Sequence, residues 1–374
     1  MILDNLSIGG FQRLALDQAY EFSENDYRVS ILVLSDPIDD TEPSFAKIEE
    51  SLIEGFKIQI NFLGTSRFKQ FLQLKHFSKT LRNGDILLSH SLRGTALLVF
   101  RKFQLASHPK LITAIHQLPT LSAPRQRFQR YCYAQLTDIL IGYSDAVRQD
   151  WLLRIREYPV VLQWAFRKKL YVIRNGIYSK RLPELNLNGV YAPRLLFLGR
   201  NTSWKGVDTF FKIASHPLLS KFEILMLVPK EEDVSLHELA EDLTSRLTVI
   251  SGKSVAYLKS RPGDVHLYPA DYGIDAKHVE SVSLNCLELA SIGVPTILTK
   301  NGTHTWPDLN DFNIFFETDW SDMNEVAKIV QKASLMRFEL SDVRKIRDLI
   351  SIGNNINKLI TISLPKSSIL DENS

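Results

Sequence analysis

A chain of 374 residues is too long for one ordinary hydrophobic core, so two domains are expected. Its 44% hydrophobic and 23% charged content excludes a disordered chain, and no apolar run approaches the roughly 18 residues that a membrane span needs. The net charge of +3 is unevenly spread: residues 1–190 hold 25 Lys/Arg against 18 Asp/Glu, the remainder 20 against 24, and 56–130 set 13 basic residues against one acid, Asp85.

The opening MILDNLSIGG carries an acid and two glycines where a signal peptide needs basic and then apolar residues, so a cytoplasmic protein is expected. Cys132 and Cys286 give no disulfide framework and no zinc spacing. Short buried strands are expected at 27–35, 84–91, 110–118, 138–144 and 170–176. Helical spacing lies between them at 11–23, 66–82, 93–105, 124–137 and 145–156. This alternation argues for a parallel sheet covered on both faces.

Periodicity fails in YSKRLPELNLNGVYAPR (178–194), where Pro, Asn and Gly gather, and a domain boundary is expected there. The rhythm then resumes, with strands at 194–200, 222–228, 247–252, 264–270, 294–300 and 312–317. Helices are expected at 206–215, 234–245, 285–293 and 321–336. The expected domains are 1–183, 190–345, and a C-terminal helix and tail, 346–374, that can cross back to the first. Ligands of such sheets bind beyond the carboxyl ends of the strands. The motifs G-x-G-x-x-G, G-x-x-x-x-G-K-[ST] and H-E-x-x-H are missing, which weighs against a dinucleotide oxidoreductase, a P-loop NTPase and a zinc hydrolase.

Two segments can carry chemistry. In LLFLGRNTSWKG (195–206) a buried strand ends at Gly199, two cations follow, and a helix starts. Arg200 and Lys205 thus make a seat for a diphosphate, unless they are plain surface cations beside a helix. In 263–302 an irregular loop carries Glu280, and a helix opening near Leu284 carries Glu288, seven residues lying between the two carboxylates. Cys286, inside that helix, reads as packing, Ser144 as a helix cap and Asn175 as a turn residue. RFKQFLQLKHFSKTLR (67–82) sets Phe68, Phe71, Leu72, Leu74 and Phe77 among cations. The apolar residues are expected against the sheet, and the cations of 57–130 can meet an anionic membrane.

GR-x4-KG, followed by E-x7-E and A-S-I-G-V-P, resembles the retaining glycosyltransferases of the GT-B fold, specifically glycosyltransferase family 4. LSIGGFQRLALDQA (6–19) is similar to the family's N-terminal glycine-rich turn and first helix. ILLSHS and ITAIHQ are similar to its His-bearing strand ends, IGYSDAVRQDWL to its strand–Ser–helix signature, and VIRNGI to its Asn-Gly before the linker. The resemblance covers roughly residues 3–340 and implies an α/β chain of two Rossmann-like domains facing a cleft.

It also implies a metal-independent enzyme without cofactor, moving a sugar from a nucleotide diphosphate to a hydroxyl of a glycan or lipid-linked acceptor in cell-surface polysaccharide synthesis. By that resemblance Arg200 and Lys205 grip the donor diphosphate, Glu288 the ribose, and Glu280 the transferred sugar. His116 approaches the sugar, with His90 contributing there or behind it. Gly9 and Gly10 let the first loop pass close to phosphate. Ser281 and Ser283 stand where glycines are common and, with Leu284, belong to the donor loop. Two departures, VPKEED (228–233) and Gly302-Thr303, replace glycine-rich turns. The alternatives are a sugar-nucleotide epimerase of the same fold and a non-catalytic nucleotide-sugar-binding partner. Nucleic acid is not expected.

Overall fold

The computed structural model describes residues 1–7, 9–35, 44–45, 49–91, 93–95, 109–115, 137–184, 189, 191–200, 205–229, 241–270, 283–300 and 307–363. Two units divide the chain, Met1–Asn175 with Ile352–Ser374, and Gly176–Ser351.

The first unit holds β1 (Ile2–Leu3), β2 (Ser30–Val33), β3 (Gln59–Phe62), β4 (Ile86–Ser89), β5 (Lys110–Ile115), β6 (Ile139–Gly142) and β7 (Leu170–Val172). They make one parallel sheet in the order β3-β2-β1-β4-β5-β6-β7. The central strands are buried along nearly their whole length, which is why they read as continuous apolar runs rather than alternations. Around them lie α1 (Gly10–Glu24), α2 (Glu50–Gly55), α3 (Arg67–Ser78), α4 (Asp145–Arg154) and α5 (Val160–Lys169). Ser144 caps α4, its hydroxyl accepting from the Val147 amide at 3.1 Å.

α1 is buried nearly all round and carries a charge network inside it. Arg13 pairs with Asp17 (Nε to Oδ1, 3.0 Å) and with Glu49, and the Tyr20 hydroxyl donates to Glu49 at 2.6 Å. Buried charges are tolerable only when paired and hydrogen-bonded in this way.

α3 corrects the expectation for Phe68, Phe71 and Leu72 and bears it out for Leu74 and Phe77. Phe68, Phe71 and Leu72 are 70%, 38% and 46% exposed, whereas Gln70 and Leu74 are buried. Leu74 joins Ile2, Leu32, Leu34, Leu63, Leu87 and Leu111, with Phe77 packed against them. Gln70 takes the inward position because its side-chain amide donates to the Leu34 carbonyl at 2.9 Å and to the Gly64 carbonyl. Helical spacing then turns 68, 71 and 72 outward.

The second unit repeats the pattern with β8 (Arg194–Leu198), β9 (Glu223–Val228), β10 (Leu247–Ser251), β11 (Val265–Tyr268), β12 (Thr296–Thr299) and β13 (Phe315–Thr318). All are parallel, in the order β10-β9-β8-β11-β12-β13. With them come α6 (Val207–Ala214), α7 (Glu241–Arg246), α8 (Leu284–Ala290), α9 (Met323–Ser334) and α10 (Leu340–Leu349). The core joins Leu195, Phe197, Phe210, Met226, Leu267, Ile297, Val326 and Val330. Burying each such side chain contributes about 1.5–3 kcal/mol. A buried fork from Arg194 to Asp264, 2.8 and 2.6 Å, fastens the start of β8 to the turn before β11. The last helix, α11 (Ile352–Ser363), belongs to the first unit, where Gln18 donates to Asn355 at 3.0 Å.

In both sheets the strand order reverses direction beside the first strand, between β1 and β4 and between β8 and β11. Open parallel sheets bind ligands at such switch points, outside the strands' carboxyl ends. Among the described residues no helix is long and apolar enough to cross a membrane.

Candidate functional site

The switch point of the second unit is built by the segment after β8. β8 ends at Leu198, Gly199 takes φ +146°, and Arg200 follows, exposed. Gly206, at φ +73°, opens α6. A Cβ at Gly206 would lie 2.5 Å from the Pro269 carbonyl oxygen, so the chain passes against the end of β11 where only glycine fits. That close approach brings Lys205 onto Tyr268. The ammonium bonds the phenolic oxygen and sits 4.7 Å from the ring centre.

His266, two residues before Tyr268, is fully buried, with Nδ1 3.2 Å from the Thr296 hydroxyl. Burial, and then the charge of Lys205, push its pKa down to about 3. His266 is therefore neutral at working pH, and the fixed positive charge here belongs to Arg200 and Lys205.

α8 is registered on the same strand end, because the Asn285 side-chain amide donates to the Leu198 carbonyl at 3.1 Å. Ser283 precedes the helix in extended backbone, and its carbonyl accepts from the Cys286 amide at 2.9 Å. Leu284 and Cys286 are buried, so both side chains pack. Glu288 stands one turn beyond Asn285 and is only 3% exposed. Its carboxylate forms a buried ion pair with Arg181, a residue that the sequence reading passed over. Arg181 lies on a short helical turn, Ser179–Arg181, in the segment read as the domain boundary. Nothing in its spacing sets it apart.

Gly9 and Gly10 lie at the switch point of the first unit. Gly9 is extended and Gly10 starts α1, with open space where its Cβ would stand. The Asn5 carboxamide oxygen accepts from the Ser7 hydroxyl and the Gln12 side chain, both at 2.7 Å, and shapes this turn. Beyond β4, His90 is buried, its backbone amide donating to the Ile2 carbonyl at 3.0 Å. The Ser91 hydroxyl donates to Asp4 at 2.5 Å. His116, Glu280 and Ser281 lie outside the described residues. A cavity of about 1340 Å³ opens beside Met1, Ser30, Gln59, His76 and Ile86, at the amino ends of the strands, away from the switch point. Among the described residues no cluster of His, Cys, Asp and Glu could hold a metal ion.

No family model matches the chain, and no curated protein matches it. Solved structures do. HepE of Anabaena, in complex with UDP, aligns with a TM-score of 0.68 at 14% identity over 97% of this chain and 98% of its own. A glycosyltransferase from Rickettsia africae aligns at 0.65 and 15% identity, covering 100% and 98%. The fold is GT-B. The catalytic domain of starch synthase IV from Arabidopsis thaliana, bound to ADP and acarbose, aligns at 0.62 and 11% identity over 96% of both chains. At such identities the likeness establishes the GT-B architecture, and function rests on the residues themselves.

Proposed function

We propose that this protein is a glycosyltransferase of the family 4 type. It takes a sugar from a nucleoside diphosphate sugar and passes it, with retained anomeric configuration, to a hydroxyl of a glycan or lipid-linked acceptor in cell-surface polysaccharide synthesis. The observation that carries this reading is the cationic seat at the second switch point, where Gly206 against Pro269 holds Lys205 beside Tyr268, with Arg200 at the end of β8. Charge develops on the departing diphosphate, and fixed cations aimed there lower the barrier most. The leaving phosphate takes the acceptor's proton. Glu280 and His116 are read as contacts to the transferred sugar, Ser281 and Ser283 as donor-loop residues, and Gly9 and Gly10 as a turn that lets the chain pass close to phosphate. HepE is bound to UDP and the starch synthase to ADP. What the two share, a ribose and a diphosphate, is what the proposal claims for the donor.

We further infer that the first unit rests on anionic lipid, placing the protein peripherally at the inner face of a membrane. On α5, Val160, Val161 and Trp164 are 78%, 74% and 59% exposed, and Arg167 and Lys168 are exposed too. At 3.6 residues per turn these five share an arc of about 120°. α3 offers Phe68, Leu72 and Lys75. Leu74 of α3 packs with Leu111, and Phe166 of α5 packs with Ile115. Leu111 and Ile115 are four apart on β5, so both helices cover one face of the sheet. Apolar side chains flanked by cations suit a lipid interface.

The test is a thermal-shift screen of UDP-, GDP-, ADP- and CMP-sugars, followed by NMR of donor turnover and of the product anomer. Stabilisation by one nucleotide sugar, with transfer or slow hydrolysis that retains the anomer, is expected. Binding without turnover in the presence of varied glycan acceptors points to a non-catalytic binder and overturns the enzyme reading.

A further inference from the structure

We propose that Arg181 is a positioning residue that sets the preference for a ribonucleotide over its 2′-deoxy counterpart, by fixing the Glu288 carboxylate toward a ribose diol. The proposal rests on the reading of the second unit as the nucleotide-sugar site.

Glu288 and Arg181 are both almost completely buried, with side chains 3% and 2% exposed. A carboxylate so placed needs a counter-charge, and the Arg181 guanidinium provides it through Oε1 of Glu288. A carboxylate offers about four acceptor positions, so one that binds a guanidinium can still receive hydroxyls. The pairing also selects one rotamer of Glu288 among those a helix allows.

The turn bearing Arg181 is itself tied to α8 by a second link. Arg347 donates from Nε to the Ser291 carbonyl at 2.6 Å and from Nη2 to the Pro183 carbonyl at 2.7 Å. Turn and helix are thus joined by a shared arginine as well as by the ion pair. One turn earlier, Asn285 holds α8 to the end of β8, beside Arg200. The Asn285 bond thus ties the helix that carries Glu288 to the strand end beside Arg200, while Arg347 and the ion pair tie it to the turn of Arg181. A diphosphate on that seat carries its ribose on the next atoms of the chain, and α8 is held at the same strand end.

The experiment measures binding of UDP, GDP and ADP to the full chain by calorimetry, then of the 2′-deoxy form of the tightest, with inorganic pyrophosphate as a reference probe. A lost hydrogen bond to a charged group corresponds to roughly tenfold or more in affinity. The wild type is expected to favour the ribo form by about that factor. Arg181→Met should bring the ratio near unity while pyrophosphate binding stays within about twofold, and Arg181→Lys should recover part of the ratio. Because Arg181→Met strands a buried charge, the double variant Arg181→Met/Glu288→Gln, which strands none, repeats the measurement in a neutral pair. An Arg181→Met protein that keeps the ratio, while Glu288→Gln loses it, overturns the role of Arg181. Equal loss of pyrophosphate binding in the double variant also overturns it, because the pair then only holds the fold. If Glu288→Gln itself keeps the ratio, or no nucleoside diphosphate binds, the underlying reading of the site fails instead, and the inference falls with it.

Discussion

The Lys205 ammonium is bonded to the Tyr268 hydroxyl and lies over the edge of its ring, 4.7 Å from the centre, across the point where the second sheet reverses its strand order. The loop that carries the cation and the strand that receives it are the two neighbours of the switch point. The phenol restrains the flexible lysine stem, which in the proposed site would lower the entropic cost of holding a phosphate. Lys205→Met and Arg200→Ala should each weaken nucleoside diphosphate binding by about 10- to 100-fold, the worth of a charge-assisted contact. Tyr268→Phe, which keeps the ring and loses the hydroxyl, should cost much less. Calorimetry with the three variants checks the order.

The two glycine positions answer differently to the same substitution. Gly206→Ala puts a methyl against the Pro269 carbonyl at a positive φ, and both effects act against the folded state. A loss of about 1–3 kcal/mol is expected, seen as a lowered Tm together with lost nucleotide binding, because Lys205 is displaced. Gly10 has open space and begins α1, so Gly10→Ala should leave Tm within about 2 °C of the wild type, alanine being the better helix former. Turnover in the NMR assay is nonetheless expected to fall, with the fold intact.

β8, β9 and β12 could be read from the sequence because strands buried on both faces are apolar throughout, and the Gly-Arg and Lys-Gly pairs follow at the point where the chain must turn. β1 and β3 could not. Ile2–Leu3 is too short to form a run, and Gln59–Phe62 lies at the sheet edge with polar and partly exposed positions. α3 misled for a definite reason: 68, 71, 72 and 75 form one helical stripe and 70, 74 and 77 another. Hydrophobicity favours the first, yet the sheet takes the second, because Gln70 finds two carbonyls inside. Arg181 was invisible because its partner lies 107 residues away, beyond any local pattern.

His266 predicts how the second unit responds to acid. Its pKa is about 3 in the folded protein against an ordinary 6.5, so the unfolded chain takes up a proton first as pH falls. Stability from this residue is intact above about pH 6.5 and declines progressively down to about pH 3, by a few kcal/mol in all. Urea unfolding from pH 7.5 to 4 should show this limb. His266→Gln should flatten it at the cost of some stability at neutral pH.

In the proposed site Arg200 and Lys205 would supply the positive charge that a divalent cation otherwise brings to a departing diphosphate. Turnover is accordingly expected to withstand millimolar EDTA and to gain less than about twofold from added magnesium or manganese. A strict requirement for either ion in an NMR transfer assay would contradict the assignment of the cationic seat.

The exposed face of α5 gives the most direct test of where the protein works. Trp164 is 59% exposed with Lys168 Nζ 3.7 Å from its ring centre, an arrangement in which an aromatic body and a cation point outward together. The indole and the two valines contribute by burial in the lipid interface, and the cations by attraction to anionic headgroups at about 1 kcal/mol each. Trp164→Ala should weaken flotation with vesicles containing phosphatidylglycerol, and Arg167→Glu/Lys168→Glu should nearly abolish it. Raising the salt should release the wild type partly, since the apolar contribution is not screened. Neither change touches the buried Phe166–Trp151 stack beneath the helix, so Tm and nucleotide binding should stay as in the wild type. Equal flotation of all three proteins, or no flotation of the wild type, would remove the membrane from the proposal and leave the face for a protein partner.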